Sequence, residues 1–186
     1  MNECKLSENN WTKVAVFAGG DRGHYRTDFD CFVGVDRGSL WVLEEDLPLA
    51  LAVGDFDSVT AEERQLIQKR ALRFVQAQPE KDDTDLELAL LTVFEQNPQA
   101  RVTIFGALGG RIDHMLANVF LPSNPKLAPY MRQIEIEDGQ NVIGYCPEGT
   151  SQLQPRSDYA YLAFMPVRDS QLTILGAKYE LTEENF

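Results

Sequence analysis

Four short apolar runs and one mixed segment, Arg73-Phe74-Val75-Gln76-Ala77, that can be a short strand, each closed by glycine, aspartate or proline, set the architecture of this chain. They are residues 14–18 (Val14-Ala15-Val16-Phe17-Ala18), 31–35, 49–53 (Leu49-Ala50-Leu51-Ala52-Val53), 73–77 and 102–106. Continuous apolar runs of this length, without polar alternation, belong to strands buried on both faces, the habit of parallel sheets. Helical patterns fall between them. Thr60-Ala61-Glu62-Glu63 is a capping box, with Thr at the cap and Glu three residues later. The helix it opens should turn Leu66, Ile67, Ala71 and Phe74 inward. A second helix is expected over 86–94, stopped near Asn97-Pro98. A third is expected over 115–121, ended by Pro122, and a short one begins at Leu40. The expected class is α/β: a mostly parallel, Rossmann-like sheet flanked by helices over residues 1–138.

From about residue 131 the texture changes. Gln133-Ile134-Glu135-Ile136-Glu137 alternates, and apolar runs at 141–146, 159–164 and 171–175 follow between Gly, Pro, Asp and Ser turns. This pattern predicts an antiparallel β region. Residues 139–186 are therefore expected to form a second, β-sandwich domain. At fewer than fifty residues it reads as incomplete and too small to stand alone.

Charge narrows the partners. The chain of 186 residues carries a net charge of −12. That disfavours nucleic acid and anionic membranes, which attract basic surfaces. No apolar run approaches the ~20 residues of a membrane span, and the polar start Met1-Asn2-Glu3-Cys4-Lys5 lacks a signal-peptide core. Three widely spaced cysteines, Cys4, Cys31 and Cys146, fit a reducing cytoplasm, as small buried hydrophobes or as bystanders.

The chemistry-bearing residues cluster where strands end. Asp36 follows the second strand, placed for a ribose hydroxyl or, equally, for a helix N-cap. Asp55 and Asp57 follow the third. In an extended segment residues two apart face one side, so these two carboxylates are expected to converge. At 4 Å they repel by about 4 kcal/mol with an effective dielectric near 20, and a hard divalent cation relieves that repulsion. Two turn aspartates capping the next helix are the plainer reading. Lys81-Asp82-Asp83-Thr84-Asp85 opens the helix over 86–94 with more charge than capping needs. Leu108-Gly109-Gly110-Arg111-Ile112-Asp113-His114 opens the next helix, with glycines that expose backbone N–H groups to an anion and an Arg fork suited to phosphate. His114 and Asn118 lie one helical turn apart. In a parallel sheet these four segments share one rim. A cleft of many acids and few cations repels a bare triphosphate and accepts one carrying Mg²⁺. No Gly-Lys-Ser or Gly-Lys-Thr is present, so the P-loop class is excluded.

In order and spacing, Gly34-Val35-Asp36-Arg37-Gly38, Gly54-Asp55-Phe56-Asp57-Ser58, Lys81-Asp82-Asp83-Thr84-Asp85 and Leu108 to His114 resemble thiamine pyrophosphokinase. The resemblance implies an α/β catalytic domain, a β-sandwich that contributes to thiamine binding and dimerisation, and a homodimer with active sites shared between subunits. The reaction implied is ATP plus thiamine to AMP plus thiamine diphosphate. It makes Asp55, Asp57 and Asp85 the Mg²⁺ ligands. Lys81, Asp82, Thr84 and Arg111 would position the phosphates, Asp113 and His114 would organise the cleft, and Asp36 would touch the nucleotide. Asp82, Asp83 and Asp113 are the candidates for a general base. Family members continue beyond the segment like Gly176-Ala177-Lys178-Tyr179, so the sandwich domain reads as truncated. Two rivals stand beside this. One is a Mg²⁺-dependent phosphatase with Asp55 as nucleophile, since Asp55-Phe56-Asp57-Ser58-Val59 is similar to the haloacid dehalogenase signature, although that signature normally follows the first strand. The other is a non-catalytic nucleotide-binding module.

Overall fold

The computed structural model describes residues 11–78 and 83–182. The expected roles of Cys4, Pro79, Lys81 and Asp82 therefore lie outside the described residues. The chain divides into two compact units, Met1–Leu153 and Gln154–Phe186.

The first unit is built on a seven-stranded sheet in the order β4-β3-β2-β1-β5-β6-β7. The strands are β1 (Lys13–Phe17), β2 (Cys31–Val35), β3 (Leu49–Gly54), β4 (Arg73–Gln76), β5 (Arg101–Phe105), β6 (Ile134–Glu137) and β7 (Val142–Gly144). All neighbours are parallel except β6 and β7. Helices α1 (Gly38–Glu44), α2 (Ala61–Arg70), α3 (Asp85–Gln96) and α4 (Ile112–Phe120) connect the strands.

Strand alternation sorts the core into two layers. Val14, Val16, Val33, Val35, Leu51 and Val53 pack with Leu86, Leu90, Val93 and Phe94 of α3. Ala15, Phe17, Phe32 and Ala52 face the other way, toward Leu40 and Val42 of α1 and Ile67 of α2. Because both faces are covered, β2 and β3 are buried at every position, as their unbroken apolar sequence requires. The capping box forms: Thr60 Oγ1 accepts the Glu63 N–H at 3.2 Å, and Glu63 Oε2 accepts the Thr60 N–H at 2.8 Å. Of the residues expected to face inward from α2, Ile67 is buried but Leu66 is 46% exposed. Leu66 points away from the stripe that the sheet covers.

The order in which strands are added reverses between β1 and β5. Strands β2, β3 and β4 extend to one side of β1, and β6 lies beyond β5 on the other. Loops leaving β1 and β5 thus part company, which opens the crevice where such sheets bind ligands. Gly106, at φ 69°, shapes this point: a Cβ there would lie 2.7 Å from the Ala18 carbonyl oxygen and 2.8 Å from the Trp41 ring. Only glycine combines that backbone with that contact.

The C-terminal expectations need correction. The alternating segment 133–137 extends the parallel sheet as β6 rather than opening a separate antiparallel region, because Ile134 and Ile136 complete the core beside β5. Strand β7, expected beyond a boundary at 138/139, pairs with β6 inside the first unit. In the second unit the run 159–164 forms no strand. The run 171–175 supplies one antiparallel bridge, Ile174 to Leu181. Tyr161 is 95% exposed there, and Leu162, Met165, Leu175 and Tyr179 are exposed as well. A strand needs a paired edge and a covered face, and the described residues of this unit bury too little apolar surface to supply them.

Candidate active site

Three carboxylates meet at the C-terminal ends of β2 and β3. Asp36, Asp55 and Asp85 each offer an oxygen, and the three oxygens lie within 4.8 Å of one another. Each arrives by a different route. Asp36 follows β2 at φ 46°, its N–H bonded to the Val53 carbonyl at 2.9 Å. Its Oδ1 accepts the Phe56 N–H at 3.1 Å, which ties the turn after β3 to the end of β2. Gly54 makes the approach possible, since a Cβ at that position would overlap Asp36 Oδ1. Asp85 is the first residue of α3, whose cap is Thr84; the Thr84 hydroxyl oxygen accepts the Glu87 N–H at 3.1 Å. The helix N-terminus favours a carboxylate there.

Crowding is visible in Asp36. Partial burial, then the charges of Asp85, Asp55 and Asp57, push its carboxyl up to about 6 against the pull of the Phe56 hydrogen bond. The donor set is all oxygen, anionic and half-buried. That chemistry fits a hard divalent cation such as Mg²⁺, whose charge would cancel the repulsion.

Asp57 behaves differently from its expected role. Phe56 sits at φ 60°, so the chain from 55 to 57 is not extended and the two-residue periodicity fails. The Phe56 side chain is 3% exposed and stacks on Phe74 at 4.7 Å. Asp57 is exposed, its N–H bonded to Asp55 Oδ1 at 3.0 Å, and its carboxylate falls outside the trio. The structure brings Asp36 into the place that sequence spacing reserved for Asp57. Asp36 caps no helix: α1 is preceded by Arg37, without a side-chain cap.

The glycine-rich segment supplies the cations. It lies at the end of β5, separated from β2 by β1 alone, hence about 10 Å along the rim at the usual strand spacing. Arg111 binds Asp113 through two hydrogen bonds, Nε to Oδ1 at 3.2 Å and Nη2 to Oδ2 at 2.6 Å, and both side chains are exposed. The guanidinium beside it holds the Asp113 carboxyl below its usual range. His114 is exposed on the first turn of α4. Asn118 turns back instead: its amide donates to the Ala107 carbonyl at 3.1 Å and fastens the loop to the helix. Lys81 and Asp82 are outside the described residues. Asp83, a candidate general base, is ion-paired with Lys126.

Residues 23–133 match the family model described as thiamin pyrophosphokinase, catalytic domain. This chain belongs to the thiamin pyrophosphokinase family. The matched span contains the acid trio and the glycine-rich loop together. A thiamine pyrophosphokinase of Bacillus subtilis (strain 168) is 35% identical over 176 residues, covering 90% of this chain and 81% of that protein. Among solved structures, a thiamin pyrophosphokinase family protein from Enterococcus faecalis superposes with TM-score 0.71 at 48% identity, over 74% of this chain and 67% of that one. The Bacillus subtilis enzyme does so with TM-score 0.62 at 35% identity, over 74% and 66%. These likenesses support the pyrophosphokinase fold and give no support to the dehalogenase-like rival. No helix among the described residues is long and apolar enough to cross a membrane.

Proposed function

We propose that this protein is a thiamine diphosphokinase, transferring the pyrophosphoryl group of ATP to the hydroxyl of thiamine and releasing AMP. Family membership supplies the reaction, and one observation carries it to these residues. A trio of carboxylates suited to a phosphate-bound cation stands on the same rim as a glycine-rich, arginine-bearing loop suited to the phosphates themselves.

Such transfer depends mainly on positioning and charge. The thiamine hydroxyl oxygen attacks the β-phosphorus in line as its proton passes to a cleft carboxylate or to water, the bond to the bridging oxygen of the α-phosphate breaks, and AMP leaves. Mg²⁺, when bound, neutralises phosphate charge and polarises the reacting phosphorus. Asp55, Asp85 and Asp36 would hold it, with Asp57 within electrostatic reach. Arg111 exchanges Asp113 for a phosphate oxygen and stabilises charge on the leaving group. Thr84 fixes the first turn of α3, and His114 stands in the first turn of α4, next to the glycine-rich loop. Lys81 and Asp82 complete the phosphate-binding set on the strength of the family motif. The same reading gives residues C-terminal to the catalytic sheet a part in thiamine binding and dimerisation. It further includes a homodimer with shared sites and a cytoplasmic location.

Incubation with ATP, Mg²⁺ and thiamine tests the reaction. AMP and thiamine diphosphate should appear in equal amounts. ADP, or orthophosphate released from a simple ester, would overturn the assignment. Sedimentation velocity tests the dimer.

A further inference from the structure

Asp85 is flanked in sequence by two acids, Asp83 and Glu87, and both are tied to one distant turn. The Asn124 amide nitrogen donates to Glu87 Oε1 at 3.0 Å. The Lys126 ammonium ion-pairs with Asp83 and stands 3.9 Å from the same Glu87 oxygen. Glu87 is 4% exposed, an unusual place for a carboxylate on a helix otherwise packed with Leu86, Ala89 and Leu90. Its backbone N–H binds the Thr84 cap, so side chain and main chain of one residue are both committed to the start of α3.

The turn that grips them is itself well fastened. The Asn124 N–H binds the Leu121 carbonyl at 2.9 Å, and its own carbonyl accepts from Leu127 at 2.9 Å and Ala128 at 2.8 Å. Asn124 Oδ1 accepts the Lys126 N–H at 3.1 Å. Leu127, fully buried, anchors the turn in the core layer that holds α3.

We propose that residues 124–126 act as a positioning clamp on the first turn of α3, and that Asn124 and Glu87 hold the Asp85 carboxylate in register with Asp36 and Asp55. This rests on the metal-binding reading of the trio. Neither residue is catalytic; both act through Asp85. Partners that orient a metal ligand in this way are commonly worth ten- to a hundredfold in metal affinity or activity.

The test is Mn²⁺ binding followed by electron paramagnetic resonance, alongside steady-state kinetics of AMP formation. Asn124→Ala and Glu87→Ala should each raise the Mn²⁺ dissociation constant by about tenfold or more. They should lower kcat while leaving the KM for thiamine unchanged. Glu87→Gln keeps an oxygen that accepts from Asn124, and it should restore Mn²⁺ affinity to within about threefold of the parent chain, against the ten- to hundredfold loss otherwise expected. Parent-like Mn²⁺ affinity in both alanine variants overturns the clamp and spares the trio. Absence of Mn²⁺ binding by the parent protein overturns the metal reading and the clamp with it. Loss of affinity that comes only with loss of the near-ultraviolet circular dichroism signal at assay temperature gives the turn a merely structural role, and that too overturns the proposal.

Discussion

The two halves of the candidate site are held by different means. The acid half is fixed from behind: Asp36 by the Phe56 N–H, Asp55 by a turn whose Phe56 is stacked in the core, Asp85 by a capped helix. The basic half is held mainly by itself. Arg111 and Asp113 are paired with each other and open to solvent, and the Asn118 amide ties their loop to α4. Carboxylates brought together repel, so their geometry has to be imposed by packing. A guanidinium meant for phosphate needs freedom to leave one anion for another.

Substitution can break this contrast. The largest effect belongs to the acids. Asp55→Asn or Asp85→Asn should lower the rate of AMP formation on the order of 10²–10³-fold, the usual cost of losing one preorganised electrostatic group, with the circular dichroism spectrum preserved. Gly54→Ala comes next. Its Cβ would overlap Asp36 Oδ1, so it should displace that carboxylate, weaken Mn²⁺ binding and destabilise the fold by about 1–3 kcal/mol in chemical denaturation. Arg111→Ala should act on the other half alone, raising the KM for ATP while Mn²⁺ affinity stays put. Arg111→Lys should recover only part, since an ammonium lacks the planar fork.

Smaller effects sharpen the contrast further. Burial and neighbouring acids lift the Asp36 carboxyl to about 6 in the fold, above its value of 3.8 when unfolded. Between these values the folded state binds the extra proton, so this group's contribution favours folding at low pH and is lost as pH rises through 6. Melting temperatures measured in a chelator should therefore carry a component that falls between about pH 4 and 6, and saturating Mg²⁺ should flatten it. Phe74→Leu removes the ring beneath Phe56 and should cost about 1 kcal/mol of stability, with a modest loss of rate through the Asp55 turn.

Much of the fold was legible because its signals are local. Unbroken apolar runs foretold strands covered on both faces, and Thr60 with Glu63 foretold the start of α2. What escaped notice depends on distant partners. Asp57 looked like the companion of Asp55 by spacing, but the burial of Phe56 against Phe74 turns the chain through a left-handed conformation and sends Asp57 outward. Asp36 joins the trio because β2 and β3 are neighbours in register and Gly54 leaves room. Neither fact is written near Asp36. Nothing in the local sequence singles out Glu87, because its partner Asn124 lies 37 residues on. The runs 159–164 and 171–175 carry strand-like composition, yet composition does not supply a pairing edge.

The position of β1 in the sheet has a kinetic corollary. Strands β2, β3 and β4 are laid down by short successive crossovers, whereas β1 and β5 lie side by side although the whole of that block separates them along the chain. Closing so long a loop is entropically slower than adding the next crossover. Asp36 and Asp55 therefore belong to a block able to assemble early in refolding, and the glycine-rich loop after β5 is expected to take its place once the central seam has zipped shut.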